Sequence, residues 1–291
     1  MRHKGVSVNK VLVVINIVLV LMLVTLLVTM YLMLKPANAP QGDSQPVIQN
    51  TTTQPTTQPA TELPTEAPTE PETEPTTQPA EKKLVVIDPG HQAAGNYDKE
   101  PLGPGATELK AKVSSGTQGV ATGLEEYRLN LLVSLKLQEI LEARGYEVVM
   151  IRTSHDVDIS NAERAQVANE LHADAFVRIH ANSADDQSMN GIMTICQTEK
   201  NPYNGELYPQ SYLLSQLVLD EMVAVTGAKR MYIWDTDTMS GINWCQVPVT
   251  IVEMGFMSNP EEDQKMATDA YQQLLALGIA NGIDRYFESI G

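Results

Sequence analysis

Apolar and polar positions divide the chain into three zones. Residues 11–34, VLVVINIVLVLMLVTLLVTMYLML, run without a charged side chain. As a helix rising about 1.5 Å per residue they cross a hydrocarbon layer of about 30 Å. Residues 36–81 show neither helical nor alternating periodicity. From residue 82 onward short apolar runs alternate with helical patterns. Strands are predicted at LVVID (84–88), YEVVMIR (146–152), DAFVRIH (174–180), GIMTICQ (191–197) and VPVTIVEM (247–254). Helices are predicted over 126–143, stopped by Gly145, and from a capping box at Ser160-Asn161-Ala162-Glu163 to about Leu171. Three more are predicted: 210–226, ended by Gly227; one opening at Asn259-Pro260; and 268–287. Strands this apolar, alternating with helices, predict an α/β domain whose sheet is covered on both faces.

Composition turns the zones into expected domains. Arg2, His3, Lys4 and Lys10 precede the apolar run, so residues 1–35 are expected to be a cytoplasmic basic tip and a transmembrane signal-anchor helix. The chain beyond would be exported, single-pass, with its domain outside the cell membrane. Ala37-Asn38-Ala39 resembles a signal-peptidase site, and cleavage there would release a secreted protein. Residues 36–81 hold ten of the 17 prolines, eleven threonines, seven acids and no Lys or Arg. That composition predicts a disordered linker. Residues 82–291, with 16 basic and 29 acidic side chains, are expected to form one acidic domain with no affinity for nucleic acid. Cys196 and Cys245 each lie in an apolar stretch. Two buried free thiols are favoured over a disulfide.

Chemistry concentrates at strand ends. His91 follows Asp88-Pro89-Gly90 at the end of the first strand, and His180 ends the third. His155 and His172 lie in polar contexts and read as solvated. Two imidazoles at the carboxyl ends of strands fit a shared metal. In the helix from 126, steps of three and four from Glu126 meet Leu129, Asn130, Val133, Leu137 and Leu141, whereas Glu125 starts a mixed face. Glu126 therefore turns toward the sheet and is the third candidate ligand. Glu253 ends VPVTIVEMGF, a run with no other charge. It reads either as a general acid/base with a raised pKa or as an ion pair with Arg152 or Arg164. Two His, one Glu and a neighbouring carboxylate have the composition of a catalytic zinc site.

VVIDPGH, EEYRLNLLVSLKLQEILEARGYEVVMIRTSHD, ISNAERAQVANELHADAFVRIHANS and VTIVEMGFMSNPEED occur in the order found in zinc-dependent N-acetylmuramoyl-L-alanine amidases of the Amidase_3 type. The chain resembles that family from about 84 to 287. The resemblance implies a three-layer α/β/α domain of zinc-exopeptidase-like fold, with a mixed, mostly parallel sheet of about six strands. It implies one Zn²⁺ held by His91, Glu126 and His180, with Glu253 as the catalytic carboxylate. The implied reaction is hydrolysis of the amide between N-acetylmuramic acid and L-alanine of the stem peptide, in a monomeric domain acting on peptidoglycan. The competing readings are an inactive membrane-tethered wall-binding module and a related zinc aminopeptidase with two metals. Residues 92–125, between two of the ligands, read as a long loop without clear structure, expected to line the substrate cleft.

Overall fold

The computed structural model describes residues 82–291. The expected transmembrane helix and linker lie outside the described residues, among which no helix is long and apolar enough to cross a membrane.

Six strands form one sheet in the order β4-β1-β5-β8-β6-β7: β1 (Leu84–Pro89), β4 (Glu147–Met150), β5 (Ala175–Asn182), β6 (Ile192–Cys196), β7 (Arg230–Asp235) and β8 (Val249–Phe256). Strands β4, β1, β5 and β8 run parallel; β6 is antiparallel to β8, and β7 follows β6. The sheet is mixed, as the resemblance implied. Alternation along each strand sends side chains to opposite faces. Val85 and Ile87 enter a core shared with α1 (Glu126–Ala143), α3 (Tyr208–Thr226) and α6 (Asp269–Ile290). Val86 enters a second core on the other face, with α2 (Asn161–Glu170) and the short α4 (Ser240–Asn243). Helix α5 (Pro260–Met266) packs beside β8.

Local signals place the helix ends where the sequence put them. Ser160 Oγ accepts from the Glu163 amide, and the Glu163 carboxylate accepts from the Ser160 amide. Asn259 caps α5, and Gly227 at φ 67° closes α3.

Three elements depart from the sequence reading. The strand β7 was not anticipated; as an edge strand it is half exposed and mixes Arg, Tyr and Asp with its apolar residues. The four residues of α4 are too few for a period to register. Residues 92–125 are not a structureless loop: β2 (Asn96–Pro101) and β3 (Leu109–Val113) form an antiparallel hairpin, with Gly103-Pro104-Gly105-Ala106 in its turn. The hairpin pattern was hidden because β2, NYDKEP, shows no apolar alternation and the Leu109-Lys110-Ala111-Lys112-Val113 alternation of β3 is short. Its order comes from docking. Trp244 Nε1 donates to Pro101 O at 2.9 Å, Asn243 Nδ2 to Leu102 O at 3.2 Å and Asn161 Nδ2 to Lys112 O at 2.8 Å. Glu100, nearly buried, accepts from the Ala162 amide at the start of α2.

Candidate active site

The first strand ends in a turn that aims an imidazole. The amide of Gly90 donates to Ile179 O at 2.9 Å, so the chain has not yet left β5. His91 then takes φ 60°, a left-handed backbone that is uncommon for a residue with a Cβ. The carbonyls of this turn are gripped by buried guanidiniums. Arg152 donates to Pro89 O and Gly90 O at 2.8 and 3.0 Å, and Arg164 to Pro89 O and His91 O at 3.2 Å. Those contacts hold the strained turn in one geometry.

Three predicted residues converge. His91 Nε2 stands 3.1 Å from Glu126 Oε1 and 3.1 Å from His180 Nδ1, and His180 Nδ1 stands 3.3 Å from Glu126 Oε1. The three residues form a group able to hold one metal ion, the only such group among the described residues. A tetrahedral ion with bonds of about 2.0–2.1 Å has ligands about 3.3 Å apart. The observed separations match that edge. Donor chemistry fits too. His91 Nδ1 lies 2.9 Å from Ser114 O, which fixes the proton there and leaves the Nε2 lone pair directed at the cluster. Burial pulls His180 down to about 4, against the opposing hydrogen bond to Glu126, so the ring is neutral. Glu126 is also buried, but hydrogen bonds from His180 and His91 outweigh the burial penalty and hold its carboxyl well below the usual range. Its Oε2 accepts from the Thr117 amide at 2.9 Å and its Oε1 from the Ala181 amide at 3.1 Å.

The face count separated the two glutamates correctly. Glu126 is 3% exposed, while Glu125 lies at the rim, 2.6 Å from Arg128 Nε.

Glu253 is aligned with His180 across β5 and β8. Its Oε2 is sealed from solvent without a hydrogen-bond partner. The ion pair with Arg152 or Arg164 does not occur: Arg152 binds backbone carbonyls, and Arg164 pairs with Asp88 at 2.6 Å. Burial, reinforced by the Glu126 charge, pushes the Glu253 carboxyl well above the ordinary range. His172 is exposed, as expected. His155 is half-buried, edge-on to Tyr127 at 5.2 Å between ring centres, rather than solvated. Cys196 and Cys245 are buried free thiols, with burial pushing each up to about 12.

A cleft of about 320 Å³ opens beside the cluster, lined by His91, His180 and Glu253, and by Lys110, Ala111 and Ser114 from the hairpin side. Residues 92–125 thus contribute to the wall of the cleft. Two contributors were not singled out in the sequence. Ser114 orients His91. Gly116, at φ 83°, has space for no side chain, since a Cβ would stand 2.7 Å from Glu126 Oε2 and 2.9 Å from His91 Cδ2. Neither carries a local signal, because both act across the fold.

The N-acetylmuramoyl-L-alanine amidase family Amidase_3 matches residues 85–285. The N-acetylmuramyl-L-alanine amidase Ami1 of Mycobacterium smegmatis has a similar structure, with a TM-score of 0.64 and 26% identity over 71% of this chain and 97% of that one. The N-acetylmuramoyl-L-alanine amidase Rv3717 of Mycobacterium tuberculosis is 27% identical over 221 residues, 72% of this chain and 88% of the relative. The uncharacterized protein YqiI of Bacillus subtilis is 30% identical over 208 residues, 72% of this chain and 86% of the relative. The chain belongs to the N-acetylmuramoyl-L-alanine amidase family and is a hydrolase of that class.

Proposed function

We infer that the domain cleaves the amide bond between N-acetylmuramic acid and the L-alanine of peptidoglycan stem peptides, with a single zinc ion held by His91, Glu126 and His180. The observation that supports this most directly is the convergence of His91 Nε2, His180 Nδ1 and Glu126 Oε1 at 3.1–3.3 Å beside an unpartnered glutamate. Bound there, zinc would supply Lewis-acid polarisation of the scissile carbonyl and a water acidified to a pKa of about 7.

The chain's own residues do the rest. The Glu253 carboxylate takes the proton from the attacking water as the water oxygen bonds to the carbonyl carbon. It then passes the proton to the amide nitrogen as the C–N bond breaks, leaving a muramic carboxylate and a free L-alanine amine. A carboxyl group destabilised as an anion by burial holds that proton firmly between the two transfers. His91 is oriented by Ser114 O, and buried His180 stays neutral. Arg152 and Arg164 keep the His91 turn from relaxing. A dinuclear aminopeptidase site is disfavoured by the single metal-capable cluster among the described residues.

Mass spectrometry of purified peptidoglycan digested with the full chain tests this reading. Release of stem peptides with a free L-alanine amine is expected, together with its loss on chelation and return on adding zinc. Intact stem peptides after digestion with zinc-loaded protein would refute it.

We also propose, from the sequence alone, that residues 11–34 anchor the chain in the cell membrane, with residues 36–81 as an extended tether and the catalytic domain facing the cell wall. The uncharged apolar run and its basic flank support this. Protease accessibility of the domain on intact protoplasts, compared with lysed ones, tests it. Protection in the intact protoplasts would sink the proposed orientation.

A further inference from the structure

Beneath the cleft lies an uneven buried charge cluster. Asp88, fully buried, receives Arg164 Nη1 on Oδ1 at 2.6 Å and Arg178 Nε on Oδ2 at 2.8 Å. One carboxylate therefore serves two guanidiniums, which are 0% and 3% exposed. Arg164 fills its remaining donors with Ile159 O, Pro89 O, His91 O and Gln92 Oε1. Arg178 does not. Its Nη2 donates to Asn161 Oδ1 at 2.8 Å, but its Nη1 meets no acceptor among the described residues. That nitrogen lies against Gly241, where any Cβ would overlap it, so a glycine is what leaves space beside it. Arg178 and Gly241 both line the cleft. That donor is not among the sealed unpartnered atoms, so it faces the cleft, where a guanidinium that shares its carboxylate with Arg164 favours an incoming anion.

The hairpin brings a second cation to the same cleft. Lys110 on β3 lines it, and no carboxylate lies within ion-pair distance of its Nζ among the described residues. Glu100, opposite Lys110 in the hairpin register, is turned to the Ala162 amide instead. The hairpin is linked to Arg178 through Asn161, which donates to Lys112 O and accepts from Arg178. The remaining acid on the cleft wall is Glu253, level with His180 on the next strand, whereas Arg178 is level with Ile251.

We propose that Arg178 and Lys110 form an anion subsite that takes a free carboxylate on the peptide side of the scissile bond. Arg178 and His180 are two residues apart on β5 and share a face, so they are separated by about 6.6 Å along the strand. An extended peptide covers that distance in about two residues. The carboxylate belongs to the residue that follows L-alanine, and the preferred substrate is a stem peptide with an acidic, unamidated residue there. This rests on the amidase reading and narrows its substrate.

The test compares two non-cleavable peptides: the stem tripeptide product with an acidic second residue, and the same peptide with that carboxylate converted to a carboxamide. Binding of each to the zinc-loaded full chain is measured by calorimetry. The acid is expected to bind at least tenfold more tightly than the amide. Lys110→Gln, a change on the hairpin surface, should cut that ratio below threefold, and Lys110→Arg should restore it. Acid and amide binding within twofold of each other in the unmodified protein would overturn the proposal. So would an equal weakening of both by Lys110→Gln, or no measurable binding of the acid at millimolar peptide. None of these readouts needs turnover. A protein that discriminates acid from amide yet releases nothing from peptidoglycan would sink the amidase reading and leave the subsite standing.

Discussion

The backbone of Gly90 lies flat against the imidazole of His180, so that a Cβ at position 90 would overlap the ring. Gly90 directly follows β1 and His180 lies near the end of the neighbouring parallel strand β5, and the glycine is what lets both side chains of the histidine pair reach one point. Gly90→Ala is expected to displace His180 without unfolding the domain. Zinc affinity should fall by about 10–100-fold, the usual effect of disturbing a ligand's support. Metal analysis after dialysis against a graded chelator checks this, with circular dichroism to confirm the fold.

Glu253 is predicted to be needed for turnover and not for metal. Glu253→Gln keeps the shape and removes the proton acceptor. It should lower kcat by about 10²–10⁴-fold while leaving zinc stoichiometry at one. A variant that loses metal and activity together would show that Glu253 acts as a ligand.

Ser114 O holds the Nδ1 proton of His91, and Gly116 packs on both His91 and Glu126. The hairpin segment is therefore predicted to matter for the metal site as well as for substrate. Gly116→Ala, strained at φ 83° and crowded against Glu126 Oε2, should weaken zinc binding, measured by competition with a chromogenic chelator. Unchanged affinity would mean that the loop adjusts freely.

Asp88 is predicted to govern acid stability. The guanidiniums of Arg164 and Arg178 offset the burial penalty and hold its carboxyl far below the ordinary range. A depressed folded-state pKa stabilises the fold above the unfolded value of about 3.9, and that contribution is lost as pH falls below it. Urea midpoints measured between pH 7 and pH 3 should be flat at first and then drop below about pH 4. Asp88→Asn should shrink that drop, leaving the part that Glu126 contributes, and lower stability at pH 7 by about 3–5 kcal/mol, because two buried cations lose their counter-ion.

How legible the site was depended on the distance over which each residue acts. Glu126 could be separated from Glu125 because helical periodicity is a local property, and the buried and rim positions bear it out. His91, His180 and Glu253 stood out as polar groups ending apolar strands. Glu253 carried two readings in the sequence, and the choice between them needed the positions of Arg152 and Arg164, which the fold commits elsewhere. The hairpin of 96–113 was invisible for a similar reason. Its first strand lacks an apolar face and the alternation of its second is short, and its order derives from Trp244, Asn243 and Asn161, which are far away in sequence.

By itself the sequence determined most of the strand and helix succession, the capped helix starts, the family and four candidate residues for the chemistry, because periodicity, capping and motif order are written within short windows. Only the tertiary structure decided that three of those residues meet within one ion's reach, that Ser114 and Gly116 support them, and that Arg178 keeps a free donor in the cleft. These are relations between side chains brought together by strand pairing and helix packing, and no stretch of the chain encodes them on its own.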